Sequence, residues 1–293
     1  MTRSKYPADG CLRFQVLQTA FELTSPDTDL LSALKGLVPL SARHEVAPEK
    51  AKRLTATRRG SGFTVSANDG SGTQIADGHS LAHAVQRAID KSCLNDMTDW
   101  GGMSSACVDI AGRRVLLVGG IRSGRSIAAV AFLVAGHPVP GDEAVLVRDG
   151  YAMPVARIGQ IWDADIGLVD DQMRRTEQPK LFRPITGRRS AVAADSLGLA
   201  WEISPKPVDA VVFLEPDPVR LSRLTFIGMT ETIQRLANAG DRRSLPPGQW
   251  ISQICRLASA PSALLRFGDT VSAVAAVRHF MTLHHPVVES VAV

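Results

Sequence analysis

Apolar and polar positions alternate through much of the first hundred residues. Leu12–Leu17 and Phe21–Ser25 read as short strands. Leu54–Ala67 reads as a hairpin, with LTAT and FTVSA flanking the turn RRGSG, and NDGSG (Asn68–Gly72) marks a further turn. Asp27–Leu37 repeats its apolar positions at helical spacing. So does Ser80–Lys91, where Leu81, Val85 and Ile89 share a face and Ser80 stands as N-cap. Asn95–Gly102 is polar and glycine-containing and reads as a junction. It divides the chain into a small α+β domain over 1–98 and a second domain over 99–293.

Beyond the junction the runs become more continuously apolar. Ser104–Ile110, a tight turn at Ala111–Gly112 and Val115–Val118 predict a hairpin. Ser126–Val134 is apolar almost all round, which predicts a helix buried against a sheet and ended by Gly136. Gly141–Val147 and Val208–Leu214 read as strands. Thr230–Asn238, with Thr230 as N-cap, Trp250–Leu257 and Thr270–Met281 read as helices. Asp241–Gly248 is a Pro-containing loop. The fold class expected is α/β, α+β overall, without internal repeats.

Composition narrows the classes. In 293 residues, 45% are hydrophobic and 21% charged, which fits a packed core and excludes a disordered chain. The net charge of +4 is spread over pairs such as Arg58–Arg59, Arg113–Arg114, Arg174–Arg175, Arg188–Arg189 and Arg242–Arg243. Dispersed pairs read as solvated faces, so no nucleic-acid partner is expected. No apolar run reaches membrane-spanning length, and MTRSKYPADG lacks a secretory signal's apolar stretch. Cys11, Cys93, Cys107 and Cys255 are widely separated, as reduced thiols would be. A cytoplasmic protein without membrane partners is expected.

The candidate chemistry lies between the predicted strand and the buried helix. In VLLVGGIRSGRS (Val115–Ser126), Gly119-x-x-x-x-Gly124-Arg125-Ser126 matches a phosphate-binding loop at every fixed position except Arg125, where that pattern has Lys. Glycines let backbone N–H groups converge on an anion, and a following helix aims its positive end there. Gly119, Gly120, Ile121, Arg122, Ser123, Gly124, Arg125 and Ser126 are thus expected to cradle phosphates. Ser126 would offer a hydroxyl to Mg²⁺, and Arg125 would reach the outer phosphates. Arg is a planar fork and Lys a point charge, so the replacement is not conservative.

Asp142 follows Ser126 by sixteen residues, room for one short helix and a return to the sheet. An acid there could ligate Mg²⁺ or accept a proton from an attacking hydroxyl.

With these residues in hand, the chain resembles the HPr kinase/phosphorylase-like family, whose nucleotide core is related to that of phosphoenolpyruvate carboxykinase. The resemblance rests on Val115–Ser126, AGH (Ala135–His137) and GDEAVLV (Gly141–Val147), and more loosely on PKPVDAVVFLEP (Pro205–Pro216). It implies a P-loop kinase core behind a small N-terminal α+β domain, with ATP and Mg²⁺ as cofactors. It implies Asp142 as general base or metal ligand, with Glu143 beside it. The phosphate acceptor would be a protein, a peptide or a small molecule, and a homo-oligomer stays open. Two positions depart from the family pattern. Arg125 replaces Lys, and Ser104 stands where relatives often carry His. Two functions follow: an ATP-dependent phosphotransferase acting on a hydroxyl, or a nucleotide-binding pseudokinase that serves as scaffold or regulator.

Other groups read as structural. His284–His285 diverge, His137 would stabilise a helix C-terminus, and His79/His83 lack an acidic partner. Asp163, Asp165, Asp170 and Asp171 read as a solvated loop. Arg183, Arg188 and Arg189 flank Gly187 and fit either a surface hairpin or an anion site. Trp100, Trp162, Trp201 and Trp250 read as core or interface.

Overall fold

The computed structural model describes residues 11–35, 38, 50–67, 72–75, 81–155, 159–162, 167–168, 182–186, 189–192, 203–217, 221–241 and 245–284, with backbone alone for 72–75, 159–162, 182–186, 189–192 and 241. His79, His285, Asp163, Asp165, Asp170, Asp171, Arg188 and Trp201 lie outside the described residues, as does the Ser80 cap.

The chain is mixed α/β. Strands β1 (Cys11–Val16), β2 (Thr19–Thr24), β3 (Lys52–Arg59), β4 (Gly62–Ala67) and β5 (Gly72–Ile75) form one sheet in sequence order. Helices α1 (Thr28–Lys35) and α2 (Leu81–Asp96) supply Leu30, Leu31, Leu34, Leu81, Val85 and Ile89 to its core. That core also takes in Val155, from much later in the chain. The polar junction expected over Asn95–Gly102 is much shorter. α2 runs to Asp96, the next strand starts at Gly101, and Met97 and Trp100 between them are buried.

A second sheet of eight strands carries the loop. Its members are β6 (Gly101–Ile110), β7 (Arg113–Val118), β8 (Ala144–Arg148), β9 (Tyr151–Pro154), β13 (Lys206–Pro216), β14 (Arg223–Phe226), β15 (Gly240–Asp241) and β16 (Ser262–Phe267). The order is β14-β16-β13-β7-β6-β8-β9, with β15 on β6. β7, β13 and β16 are mutually parallel. β9 also pairs with the start of β13 at Lys206↔Ala152, so β13, β7, β6, β8 and β9 close into a ring. A small third sheet holds β10 (Gly159–Trp162), β11 (Phe182–Thr186) and β12 (Arg189–Val192).

Helices α3 (Arg125–Val134) and α6 (Thr270–His284) pack on one face of this sheet, around Leu117, Val212 and Leu265. Helices α4 (Met229–Ala239) and α5 (Pro247–Leu257) cover Leu116, Val118 and Phe213 on the other. Strands buried on both faces explain the continuous apolar runs. α4 starts at Met229 with Gly228 as N-cap; Thr230, expected there, lies inside the first turn.

The hairpin of β6 and β7 turns at Ala111 (φ 50°) and Gly112 (φ 80°), as a two-residue primed turn requires. One of the arginine pairs read as a solvated face behaves otherwise. Arg114 has 0% of its surface exposed. Its Nε and Nη2 donate to Asp109 at 2.9 and 3.0 Å, and its Nη1 donates to the carbonyls of Ala152 and Ser204. Lys206 Nζ reaches the same Asp109 carboxylate at 3.0 Å. This polar cluster ties β6, β7, β9 and the segment entering β13 at the end of β7 remote from the loop.

Candidate functional site

β7 delivers the chain into the loop at Gly119 because its place beside β6 is taken. Val118 pairs with Ser105, but Met103 and Gly102 pair with Gly240 and Asp241 of β15. The ladder therefore ends, and the backbone must turn out of the sheet. Gly119 permits this: a Cβ there would collide with Ser123 Oγ. Arg122 (φ 65°) and Gly124 (φ 82°) take left-handed conformations, and Ser123 N–H donates to the Gly120 carbonyl at 3.2 Å. Gly124 is the N-cap of α3, with no side-chain capping bond. The first N–H groups of α3 are thus presented where a ligand could take them.

Within this turn Ser123 is buried, and its hydroxyl has no hydrogen-bond partner among the described residues. A buried hydroxyl without a partner is uncommon, and this one is placed to bond a polar ligand. Around Gly120 there is open space. Ile121, at the tip, is 99% exposed, and Ser126 is half-buried in the first turn of α3.

Arg125 does not extend along the loop towards an outer phosphate, as the sequence pattern suggests. It folds back across the sheet. Nη1 donates to the Gly119 carbonyl at 2.6 Å and to Ser104 Oγ at 2.7 Å, and Nε donates to the Asp142 carbonyl at 3.0 Å. Nη2 stands 3.9 Å from Glu143 Oε2, and the side chain is 10% exposed. The departures at positions 104 and 125 are therefore in direct contact with one another.

The acid segment lies alongside. Cys107 N–H donates to the Gly141 carbonyl at 2.8 Å and Ser105 N–H to that of Glu143 at 3.2 Å, which sets Asp142 against Ala106 on the α3 side of the sheet. The Asp142 side chain is buried, with the residue 1% exposed. Main chain at 142, the Glu143 carboxylate, Ser104 and the loop's first carbonyl thus converge on one guanidinium.

Other predicted candidates fall elsewhere. His137 lies just past the far end of α3, whose C-cap is Ala135, about 15 Å along the helix axis from the loop, and its N–H donates to the Phe132 carbonyl at 3.0 Å. Burial, and then the nearby Arg278, lower its pKa, so it stands as a neutral ring against Phe132 and not as a cation at the helix end. His284 packs against Phe226 and Phe280. Trp100 and Trp250 are core residues. Among the described residues no three His, Cys, Asp or Glu side chains stand together as a metal site. No described helix is long and apolar enough to cross a membrane.

Two site features carry no local signal. Phe267, at the end of β16, lays its ring against Gly124. β15 closes the ladder above β7 with Gly240 and with Asp241, the first residue of the segment read as loop. Both are long-range contacts, visible only once strand order is known.

Among solved structures, the chain is similar to the HPr(Ser) kinase/phosphatase from Coxiella burnetii. The alignment covers 62% of this chain and 97% of that one, at 12% identity and a TM-score of 0.25. This is a distant likeness of fold and carries no argument about activity. No family model and no curated protein matches the chain.

Proposed function

We propose that this protein binds a nucleoside triphosphate with its Mg²⁺ at Gly119–Ser126 and transfers the terminal phosphoryl group to a hydroxyl. The acceptor is a protein or peptide serine, or a small metabolite. The supporting observation is the buried, unpartnered Ser123 hydroxyl inside a left-handed turn that opens straight into the N-terminus of α3. In the transfer, the acceptor oxygen forms a bond to the terminal phosphorus, the bond to the bridging oxygen breaks, and the nucleoside diphosphate leaves. The hydroxyl proton passes to the Asp142 carboxylate. Alternatively Asp142 would be a Mg²⁺ ligand with Ser126, Glu143 standing beside them, and the ion would neutralise charge on the transferred group; among the described residues no three His, Cys, Asp or Glu side chains stand together there.

A second function, a pseudokinase that binds nucleotide without transferring phosphate, is favoured by Arg125, whose guanidinium is tied to Gly119, Ser104 and Asp142. Both functions require MgATP to raise the melting temperature, because a ligand held only by the folded state stabilises it. No shift at millimolar MgATP removes both. Asp142→Asn should then abolish transfer while leaving nucleotide binding in place. If the native chain transfers nothing and Arg125→Lys does, the protein is a pseudokinase.

A further inference from the structure

We infer that Arg125 is a positioning residue acting as a latch: its contacts with Ser104, Asp142 and Glu143 hold the guanidinium folded back across the sheet, and an incoming polyphosphate must compete with the Glu143 carboxylate for it. The inference rests on the proposal that the loop takes polyphosphate. Three observations lead to it. The fork bridges the loop's first carbonyl to Ser104 on β6 and to the main chain at Asp142 beyond it, at 2.6 to 3.0 Å. It is largely sheltered, which strengthens each of these bonds relative to bulk water. Its carboxylate neighbour at 3.9 Å is an anion beside a turn shaped for anions. Glu143 thus takes the place beside the guanidinium that a phosphate oxygen would take. Lys could not do this, since an ammonium lacks the planar fork that spans several acceptors at once. The Arg–Ser104 combination therefore works as a unit: the guanidinium needs the small hydroxyl beside it. Ligand binding would turn Arg125 towards phosphate and release Glu143.

The test is metal-free ATP, in EDTA, titrated calorimetrically into the full chain, so that any role of Glu143 towards Mg²⁺ is silent. Glu143→Gln should tighten binding about fivefold, within the usual coupling of neighbouring charged groups. In an Arg125→Gln background the same change should alter affinity less than twofold. Ser104→Ala removes a neutral partner of the latched state, so it should also tighten binding, about twofold by loss of one hydrogen bond. Equal tightening by Glu143→Gln in both backgrounds would mean plain charge repulsion and overturn the latch. So would unchanged affinity in Ser104→Ala. If the native chain binds no ATP, the nucleotide proposal fails, and the latch is judged by melting temperatures alone. The double variant should then be no less stable than Arg125→Gln, and additive losses would refute the latch.

Discussion

The ring of Phe267 occupies the space beside the Cα of Gly124, so that a Cβ at 124 would lie 2.9 Å from it. Residue 124 also has φ of 82°, a conformation that a side chain resists. Gly124→Ala should therefore destabilise the protein by about 1–3 kcal/mol. Phe267→Leu in the same chain should recover only the steric part. Urea midpoints of the two variants check both statements, and loss of the MgATP shift in Gly124→Ala checks the loop's role.

The Arg114–Asp109–Lys206 cluster predicts an asymmetry. Asp109 serves two cations at once, one of them fully buried. Asp109→Asn removes the charge of the carboxylate to which two nitrogens of that buried guanidinium donate, and should cost about 3–5 kcal/mol. Lys206→Met removes a half-buried partner and leaves the Arg114–Asp109 pair intact, so its effect should stay near 1 kcal/mol. Chemical unfolding of the two variants side by side is the measurement.

His137 makes stability depend on pH. Burial, followed by Arg278, lowers its pKa from 6.5 in the fold. The unfolded chain therefore binds the proton first as pH falls. Stability contributed by the neutral ring is present above about pH 6.5 and is lost progressively below it. His137→Leu should flatten the fall in urea midpoint between pH 7.5 and 5.5. An equally steep fall in that variant would show that other groups are responsible.

Ile121 is solvent-exposed at the loop tip and touches nothing that holds the fold. Ile121→Ser should leave the melting temperature within about 1 °C, as surface substitutions do. Binding through main-chain amides predicts an unchanged MgATP shift as well. Thermal melts with and without nucleotide decide this.

How much of this was legible in the sequence depends on range. The unit from β6 through β7 and the loop to α3 is local, so alternating residues, a turn dipeptide and glycine spacing reveal it, and the helix begins within one residue of its expected start. Asp142 was singled out by spacing, and what the fold brings to the loop's arginine is its main-chain carbonyl, placed by pairing with β6. Arg114 was misread because a cation in a charged pair reads as exposed until the chain brings Asp109, Ala152 and Ser204 around it. The conduct of Arg125 was hidden for a similar reason. A motif position states what a residue type can do, while its rotamer follows from Ser104 and the acid segment, both set by pairing with β6.

The closed circuit of β13, β7, β6, β8 and β9 has a consequence for motion. Because β7 is flanked on both sides, by β6 and by β13, amide protons of Val115–Val118 should exchange with solvent only when this part of the sheet opens. Those of Gly120–Ser123, one step further along the same chain, lie outside the circuit. Deuterium uptake should therefore rise steeply on either side of Gly119, and nucleotide should slow only the fast side.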